Sequence, residues 1–460
     1  MLAYHFFRMK KVGYRVDIED LLQAMKHLKG VTPRFTVGLP QKKNMLIQYS
    51  VPAHLTYCTN IHPGESWEEV FASLKRYALP VKEAVSPDAP FGIGLRLSGQ
   101  AARDILMGEC LAEFKDWLAV NDFYVFTMNG FPYGGFHHTV VKGNVHAPDW
   151  LTQERVTYTC NLFSILAELL PEGMEGGIST SPISYKPWHL RAADKETARK
   201  KGSEYLAKVI LHLYQLEEES GKFMHLDIEP EPDGILENTA EMVSFYENDL
   251  LPVASSILQQ ELSISPEAAE ALIRRYIQLC YDVCHFAVEF EDHHTSLDTF
   301  KAAGIAIGKV QISAALAVSF PKDKNDYKQV VASLSPFNES TYLHQVIGKK
   351  QDGTFLQYPD LPPALKEIET ASWEEWRTHF HVPLFIETYG LLRSTQKDIL
   401  EVFEWFQREE VETHWEVETY TWDVLPADMQ LSIDQSIIRE LDWVTSHLNQ
   451  YERIQENSRH

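Results

Sequence analysis

Residues 226–232 read LDIEPEP, an apolar strand pattern that runs into carboxylates and prolines. Side chains alternate along a strand, so Asp227, Glu229 and Glu231 would share one face. The prolines end the strand because they have no N–H to donate to a neighbouring strand. A buried strand that ends in acids is typical of parallel α/β folds, which carry their functional groups at the C-terminal ends of the strands.

The same kind of run recurs along the chain, in alternation with helical patterns. The eight strand-like runs are 55–61, 91–97, 123–128, 176–180, 224–229, 278–284, 308–313 and 414–420. Helical patterns between them include 66–82, 99–119, 152–170, 193–219, 239–260, 266–280 and 394–408. Eight strands, and no Gly-x-Gly-x-x-Gly after the first, favour a closed (β/α)8 TIM barrel of the α/β class over a doubly wound Rossmann sheet.

Two regions depart from this alternation. Residues 1–54 contain a helical pattern and then a stretch rich in Pro and Lys, which predicts an N-terminal extension packed on a barrel formed by 55–460. Residues 314–378, before the last strand, are rich in Pro, Asn, Asp and Gly and predict a long insertion without secondary structure. Loops of that length in compact domains usually serve a function, so we expect a lid.

The composition narrows the class of partner. The chain has 65 Asp and Glu against 42 Lys and Arg, a net charge of -23. A field of that sign repels nucleic acid and anionic membrane surfaces, so neither is an expected partner. The five cysteines lack Cys-x-x-Cys spacing, which argues against a disulfide framework or a thiolate zinc site. No signal peptide or membrane span is indicated, so we expect a cytoplasmic protein.

Polar residues stand at the C-terminal end of nearly every strand run. They are His62, Arg96, Asn129, Glu229, Asp282 with His285, Gln311 and Glu418. In a closed parallel barrel these ends meet at one rim, so side chains far apart in the sequence would converge there.

Three of these strand ends carry potential metal ligands. Asp282 and His285, in YDVCH at 281–285, offer an oxygen and a nitrogen donor to one cavity. Glu229 and Glu418 would be costly to bury without a compensating cation. The structural alternatives are a solvated loop for Glu229, a core imidazole for His285 and an ion-pair network with Lys or Arg for Glu418.

Two loops add candidate substrate-binding groups. In RTHFHVP at 377–383, His379 and His381 occupy alternate positions and can close over a substrate, ligate a metal or stack on aromatic rings. The loop NGFPYGGFH at 129–137 ends in His137. Its glycines let the backbone approach a ligand closely, although the same residues suffice for an ordinary turn.

The residues at the last four strand ends resemble those of the xylose-isomerase-like, or sugar phosphate isomerase/epimerase, TIM barrel superfamily. In that superfamily a Glu ends the fifth strand, Asp-x-x-His the sixth, a His or similar ligand the seventh and a Glu the eighth. The matching positions here are Glu229, Asp282, His285, Gln311 and Glu418. The resemblance implies that they hold a divalent cation, either Zn, Mn, Fe or Mg. Gln311 departs from the pattern, because an amide oxygen is a weaker ligand than an imidazole.

Longer motifs are similar to those of the EboE family. They are LTYCTNIHPGE at 55–65, NGFPYGGFH at 129–137 and ISYKPW at 183–188, and the similarity covers roughly residues 55–426. Members are labelled metabolite traffic proteins and belong to gene clusters tied to export or elaboration of secondary metabolites. The resemblance implies that the chain handles a small polyhydroxylated metabolite, with other proteins of the same pathway as partners.

We therefore expect a metal-dependent isomerase or epimerase that acts on a sugar- or cyclitol-type metabolite. Glu229 and Glu418 would act as general bases, and His285 would orient substrate oxygens. The candidate substrate-binding residues are His62, Arg96, Asn129, His137, Lys186 and His381. Two alternatives remain open: a non-catalytic carrier with the same barrel, and a metal-dependent phosphodiesterase or endonuclease, against which the acidic charge counts.

Overall fold

The structure is a computed structural model, which describes residues 46–48, 52–135, 142–338, 342–419, 421–422 and 430–458. All of these belong to one compact unit, 43–460. Most of the predicted N-terminal extension, 1–54, and the candidate residue His137 lie outside the described residues.

Eight parallel strands form the barrel, as predicted. The first to eighth barrel strands are Pro52–Tyr57, Phe91–Arg96, Phe123–Asn129, Gly176–Thr180, Met224–Ile228, Ile277–Asp282, Ile307–Ile312 and His414–Val417. Strands two to eight pair in sequence order, and the eighth also pairs with the first. The predicted (β/α)8 barrel is thus confirmed. A short strand, Leu46–Gln48, adds to the first barrel strand antiparallel, so residues before 55 contribute to this sheet.

The first and second barrel strands are joined mainly by the side chain of Thr56, and not by a regular series of backbone hydrogen bonds. The hydroxyl of Thr56 donates to the carbonyl of Gly92 at 2.7 Å and accepts from the N–H of Gly94 at 3.1 Å. One bridge, between Cys58 and Gly94, continues the pairing. Gly94 also leaves room for the buried Glu416 side chain, which a Cβ at this position would meet.

Helices follow the strands with the capping chemistry that their sequences provide. They are Trp67–Val85, Gly99–Asp104, Cys110–Val120, Gln153–Leu169, Ala192–Ser220, Thr239–Phe245, Leu251–Leu262, Pro266–Tyr276, Val283–Val288, His293–Ala302, Tyr327–Leu334, Leu361–Lys366, Gln396–Glu409 and Ile433–Ser458. The first begins with a capping box between Ser66 and Glu69. The helix predicted over 99–119 is two helices, separated by a turn in which Gly108 has φ of +56°. No helix in the described ranges has the length and apolarity that crossing a membrane requires.

The insertion before the eighth barrel strand contains most of a second sheet, where the sequence predicted a loop without secondary structure. Its six antiparallel strands are Leu316–Ser319, Val346–Lys350, Phe355–Tyr358, Trp373–Thr378, Thr388–Tyr389 and Leu392–Ser394. Trp373 and Trp376 are fully buried and pack with Phe320. These aromatic side chains are continuous with the core of the barrel, and turn-forming residues such as Gly353 lie between the strands.

Candidate metal-binding site at the barrel mouth

Three carboxylates converge at the C-terminal end of the barrel. Asp282 ends the sixth barrel strand, and Glu229 and Glu418 stand one residue beyond the fifth and the eighth. The N–H of Glu229 donates to Thr180 and that of Glu418 to Ile312, so both still follow the ladder. All three are at most 4% exposed, and one oxygen of each lies within 4.8 Å of the others.

The electrostatics of this group are unfavourable without a cation. Burial and the neighbouring carboxylates hold the pKa values of Glu229 and Glu418 well above the ordinary range. Burial also opposes the ionisation of Asp282, but His285, His381 and hydrogen bonds hold its pKa below the ordinary value. One oxygen of Glu229 and one of Asp282 are buried with no hydrogen-bond donor among the described residues. Two such oxygens beside a third carboxylate fit a bound cation.

Neighbouring polar groups fix the orientation of the carboxylates. The side-chain amides of Asn60 and Asn129 both donate to Oε1 of Glu418, at 2.7 and 2.9 Å. The hydroxyl of Ser313 donates to Oδ1 of Asp282 at 2.6 Å. These contacts use one oxygen of each acid and leave the other for a ligand, which is how outer-shell partners orient metal ligands.

Three histidines face the carboxylates with the same tautomer. Nδ1 of His285 donates to the carbonyl of Pro230, that of His381 to the carbonyl of Glu418 and that of His379 to the side-chain oxygen of Gln345, each at 2.9 Å. The lone pair is therefore on Nε2 in each neutral ring. Nε2 of His379 and Nε2 of His381 are only 3.3 Å apart, a separation that a shared proton or cation accounts for. Burial lowers the pKa of both rings, which keeps them in the neutral, metal-binding form.

The residue types and spacing together fit a divalent metal. Besides the three carboxylates, Asp282, His285 and His381 form a group with donor atoms within 4.8 Å of one another. Glu231, His285 and His379 form another. Mixed imidazole and carboxylate donors suit zinc, manganese and iron.

A cavity that is open to solvent lies above these residues. The barrel contributes Asn60, Asn129, Glu229, His285 and Glu418 to its lining. The insertion and the segment after it contribute Tyr342, Gln345, His379 and His381. The insertion therefore forms one wall of the mouth.

Other predicted site residues lie elsewhere. His62 and Arg96 line a separate small pocket, in which Arg96 pairs with Glu65 at 3.2 Å. Lys186 pairs with Glu237 and Glu241 and does not line the mouth cavity. Gln311 is fully buried inside the barrel, where its amide oxygen accepts from the thiol of Cys280 at 3.3 Å.

Asn60 and Gln345 are among the residues of the site that were missed in the sequence. Asn60, which holds Glu418, lies in the motif at 55–65, and its place just after the first strand was a usable signal. Gln345 has no such signal, because it lies in the insertion and reaches His379 only through the pairing of the second sheet.

No protein-family profile matches the chain, and no curated protein matches its sequence. Similar solved structures include a D-tagatose 3-epimerase-like protein, with a TM-score of 0.46 and 8% identity over 87% of this chain and 99% of that one. An IolI protein with a bound zinc atom has a TM-score of 0.44 and 10% identity, over 86% and 98%. The D-allulose 3-epimerase of Methylomonas sp. in complex with D-allulose has a TM-score of 0.43 and 10% identity, over 87% and 99%. Xylose isomerase-like TIM barrel proteins are also among them.

Proposed function

We propose that this protein is a divalent-metal-dependent isomerase or epimerase of a small sugar- or cyclitol-type metabolite. The observation that carries the proposal is the convergence of Glu229, Asp282 and Glu418 beside His379 and His381, under a cavity at the C-terminal end of the barrel. The resemblance to the EboE family extends the proposal to secondary metabolism, with partners from the same pathway. The five free cysteines fit a reducing compartment such as the cytoplasm.

The proposed ligands are Glu229, Asp282, Glu418 and His381. His381 supplies the imidazole that the resemblance had led us to seek at Gln311, since its ring lies within ion-pair distance of Asp282, at 3.9 Å. When bound, a divalent cation would polarise a substrate carbonyl and hold a neighbouring hydroxyl. This would make the hydrogen on the adjacent carbon acidic enough for a carboxylate to remove.

Glu229 is the stronger candidate for the base that takes this proton. One of its oxygens is buried without a donor and faces the cavity region, whereas Glu418 is held by two amides. As the base, the carboxyl of Glu229 would take the proton and return it to the substrate. His285, whose Nδ1 is fixed on the carbonyl of Pro230, would orient a substrate oxygen or complete the metal site.

One observation favours the alternative of a non-catalytic carrier. Arg96 and Lys186, which were expected to bind substrate, are engaged in ion pairs away from the cavity. Lys142, the lysine in the cavity lining, is paired with Asp360, so the described lining offers an anionic substrate no unpaired Lys or Arg. A carrier for a neutral polyol would need no more than the metal, the two asparagines and the histidines.

The first test is the metal content of Glu229→Gln and Asp282→Asn. Each change removes one charged ligand of nearly the same size, so each variant should lose one equivalent of divalent metal relative to the wild type. Glu440→Gln is the matched control, because Glu440 is a buried acid outside the cavity lining. Full metal content in both mouth variants would refute the assignment.

The second test separates the isomerase from the carrier. The metal-loaded protein is incubated in D₂O with a panel of ketoses and inososes, and deuterium at the carbon beside the carbonyl is measured. The isomerase incorporates deuterium, and Glu229→Gln abolishes the incorporation. Binding of a panel member without any incorporation would identify a carrier.

A further inference from the structure

A second cluster of potential ligands lies at the opposite end of the barrel. Glu175 immediately precedes the fourth barrel strand, His225 is the second residue of the fifth, and His414 is the first residue of the eighth. One donor atom of each lies within 4.8 Å of the other two. Parallel strands place their N-terminal ends at the rim away from the mouth, so this cluster is distinct from the site described above.

His225 is oriented as a ligand would be. Its Nδ1 donates to Oδ1 of Asp227 at 2.6 Å, and both side chains are completely buried. Its Nε2 is also buried and has no hydrogen-bond partner among the described residues. A carboxylate that holds one nitrogen of an imidazole while the other is directed at a cation is the common outer-shell arrangement in metal sites.

His414 completes the nitrogen donors. Its ring is nearly parallel to that of His225, with an interplanar angle of 14°, and its Nε2 lies 3.2 Å from the carbonyl of Glu175. Burial, followed by the neighbouring imidazoles, holds the pKa of His414 well below the ordinary value.

The barrel interior leaves room for this arrangement. A Cβ at Gly177 would lie 2.6 Å from Oδ2 of Asp227, and a Cβ at Gly308 would lie 2.5 Å from Nδ1 of His225. Any side chain at either position would displace the pair. The fourth and the seventh barrel strands thus carry glycine where the His225 and Asp227 side chains need the space.

The charges also match a divalent cation. Glu175 and Asp227 contribute two negative charges, while the nearby Lys309 is already paired with Glu416. A dication would balance the two carboxylates and replace the proton on His225. Glu175 is only half-buried, so a cation can reach the cluster from solvent on that side.

We propose that Glu175, His225 and His414 form a second site for Zn²⁺ or a similar borderline cation at the N-terminal end of the barrel, with Asp227 orienting His225. Three protein donors leave the fourth tetrahedral position to water, which is the open type of zinc site and not the closed type with four protein ligands. The cation would join the fourth and fifth strands to the eighth across the barrel.

The test is the loss of one cation equivalent in His414→Gln and in Glu175→Gln, each compared with its parent. Each substitution is made both in the wild type and in the Glu229→Gln variant, so that the result does not depend on whether the carboxylates at the C-terminal end of the barrel bind a metal. Proteins are loaded with Co²⁺, and both the cobalt content and the visible spectrum of tetrahedral cobalt are recorded. We expect His414→Gln and Glu175→Gln each to lose one equivalent of cobalt and the corresponding visible absorption, both in the wild type and in the Glu229→Gln protein.

The matched control is His54→Gln. His54 lies 6.1 Å from the ring of His414, but its Nδ1 is 2.8 Å from the hydroxyl of Tyr124, and it is not one of the proposed donors. It should keep the full cobalt content. Circular dichroism checks that each variant is folded. Glu175→Gln changes a half-buried position, so of the two it is expected to disturb the fold less. The proposal would be overturned if His414→Gln and Glu175→Gln had the same cobalt content and spectrum as the protein without these changes. His225 would then be a protonated imidazole paired with Asp227.

Discussion

The ion pair between Lys309 and Glu416 shows at the scale of single residues how the barrel holds charge in its interior. Both side chains are fully buried, and Nζ of Lys309 also lies 3.4 Å from the carbonyl of Met128. Burial opposes the charge on each partner, and each charge offsets the burial of the other. The pair is therefore a place where removal of one partner has a large effect.

We predict that Lys309→Met destabilises the fold by about 3–5 kcal/mol, because it leaves Glu416 buried without its partner. The effect is measured by urea unfolding of Lys309→Met, of Glu416→Leu and of the double variant Lys309→Met/Glu416→Leu. The double variant should recover much of the lost stability, since it removes both charges. A single variant as stable as the wild type would contradict the prediction.

The sequence identified those residues of the barrel mouth whose location follows from their position at the end of a strand. Glu229 and Glu418 stand one residue past their strands, and parallel strand ends must meet at one rim. Gln311 is different because it is still inside the ladder, in register with Asp282 and Glu416, and its side chain contacts Cys280. Besides His285, a second imidazole beside Asp282 comes from His381, after the insertion, and spacing along the chain does not reveal that approach.

At the scale of elements, the strands and helices of the barrel were predictable and the second sheet was not. Barrel strands are continuous apolar runs because both of their faces are covered. The strand Trp373–Thr378 instead mixes buried and partly exposed residues without strict alternation, and its neighbours are separated by turn-rich segments. Its partners lie far apart in the sequence, so only tertiary pairing identifies them.

The last described helix, Ile433–Ser458, carries a pH-sensitive contact. Oε1 of Glu440 accepts from the N–H of Leu384 at 3.0 Å, and burial raises the pKa of Glu440 from 4.5 to about 8. The folded protein therefore keeps a proton that the unfolded chain loses above about pH 4.5, so stability falls as the pH rises towards 8.

We predict that Glu440→Gln removes this part of the pH dependence. Glutamine keeps an oxygen that can accept from Leu384 and carries no charge, so the variant should be more stable than the wild type at pH 8 and gain little at pH 4. Melting temperatures measured from pH 4 to 9 check this. Parallel curves for the two proteins would show that Glu440 is ionised without penalty in the folded state.

At the scale of the whole molecule, the mouth links stability to metal. The chain carries a net charge of -23, and three of its buried acids lie together at one rim. Without a cation, Glu229 and Glu418 either repel Asp282 as anions or take up protons, and both raise the free energy of the folded state relative to the unfolded chain at neutral pH. In the unfolded chain these groups are separated and hydrated. The arrangement that binds a metal therefore lowers the stability of the metal-free folded protein.

This opposition predicts a crossing of two stability curves. In the presence of a chelator, Glu229→Gln should melt at a higher temperature than the wild type, because the change removes a buried charge from a like-charged group. With metal at about 100 times its Kd, binding stabilises the wild type by about 2.7 kcal/mol, and the variant gains less. A cation at the N-terminal end of the barrel would affect both proteins equally, so it cancels in the comparison. A variant that melts below the wild type with and without metal would mean that Glu229 is a structural acid, and the metal assignment at the mouth would lose its energetic basis.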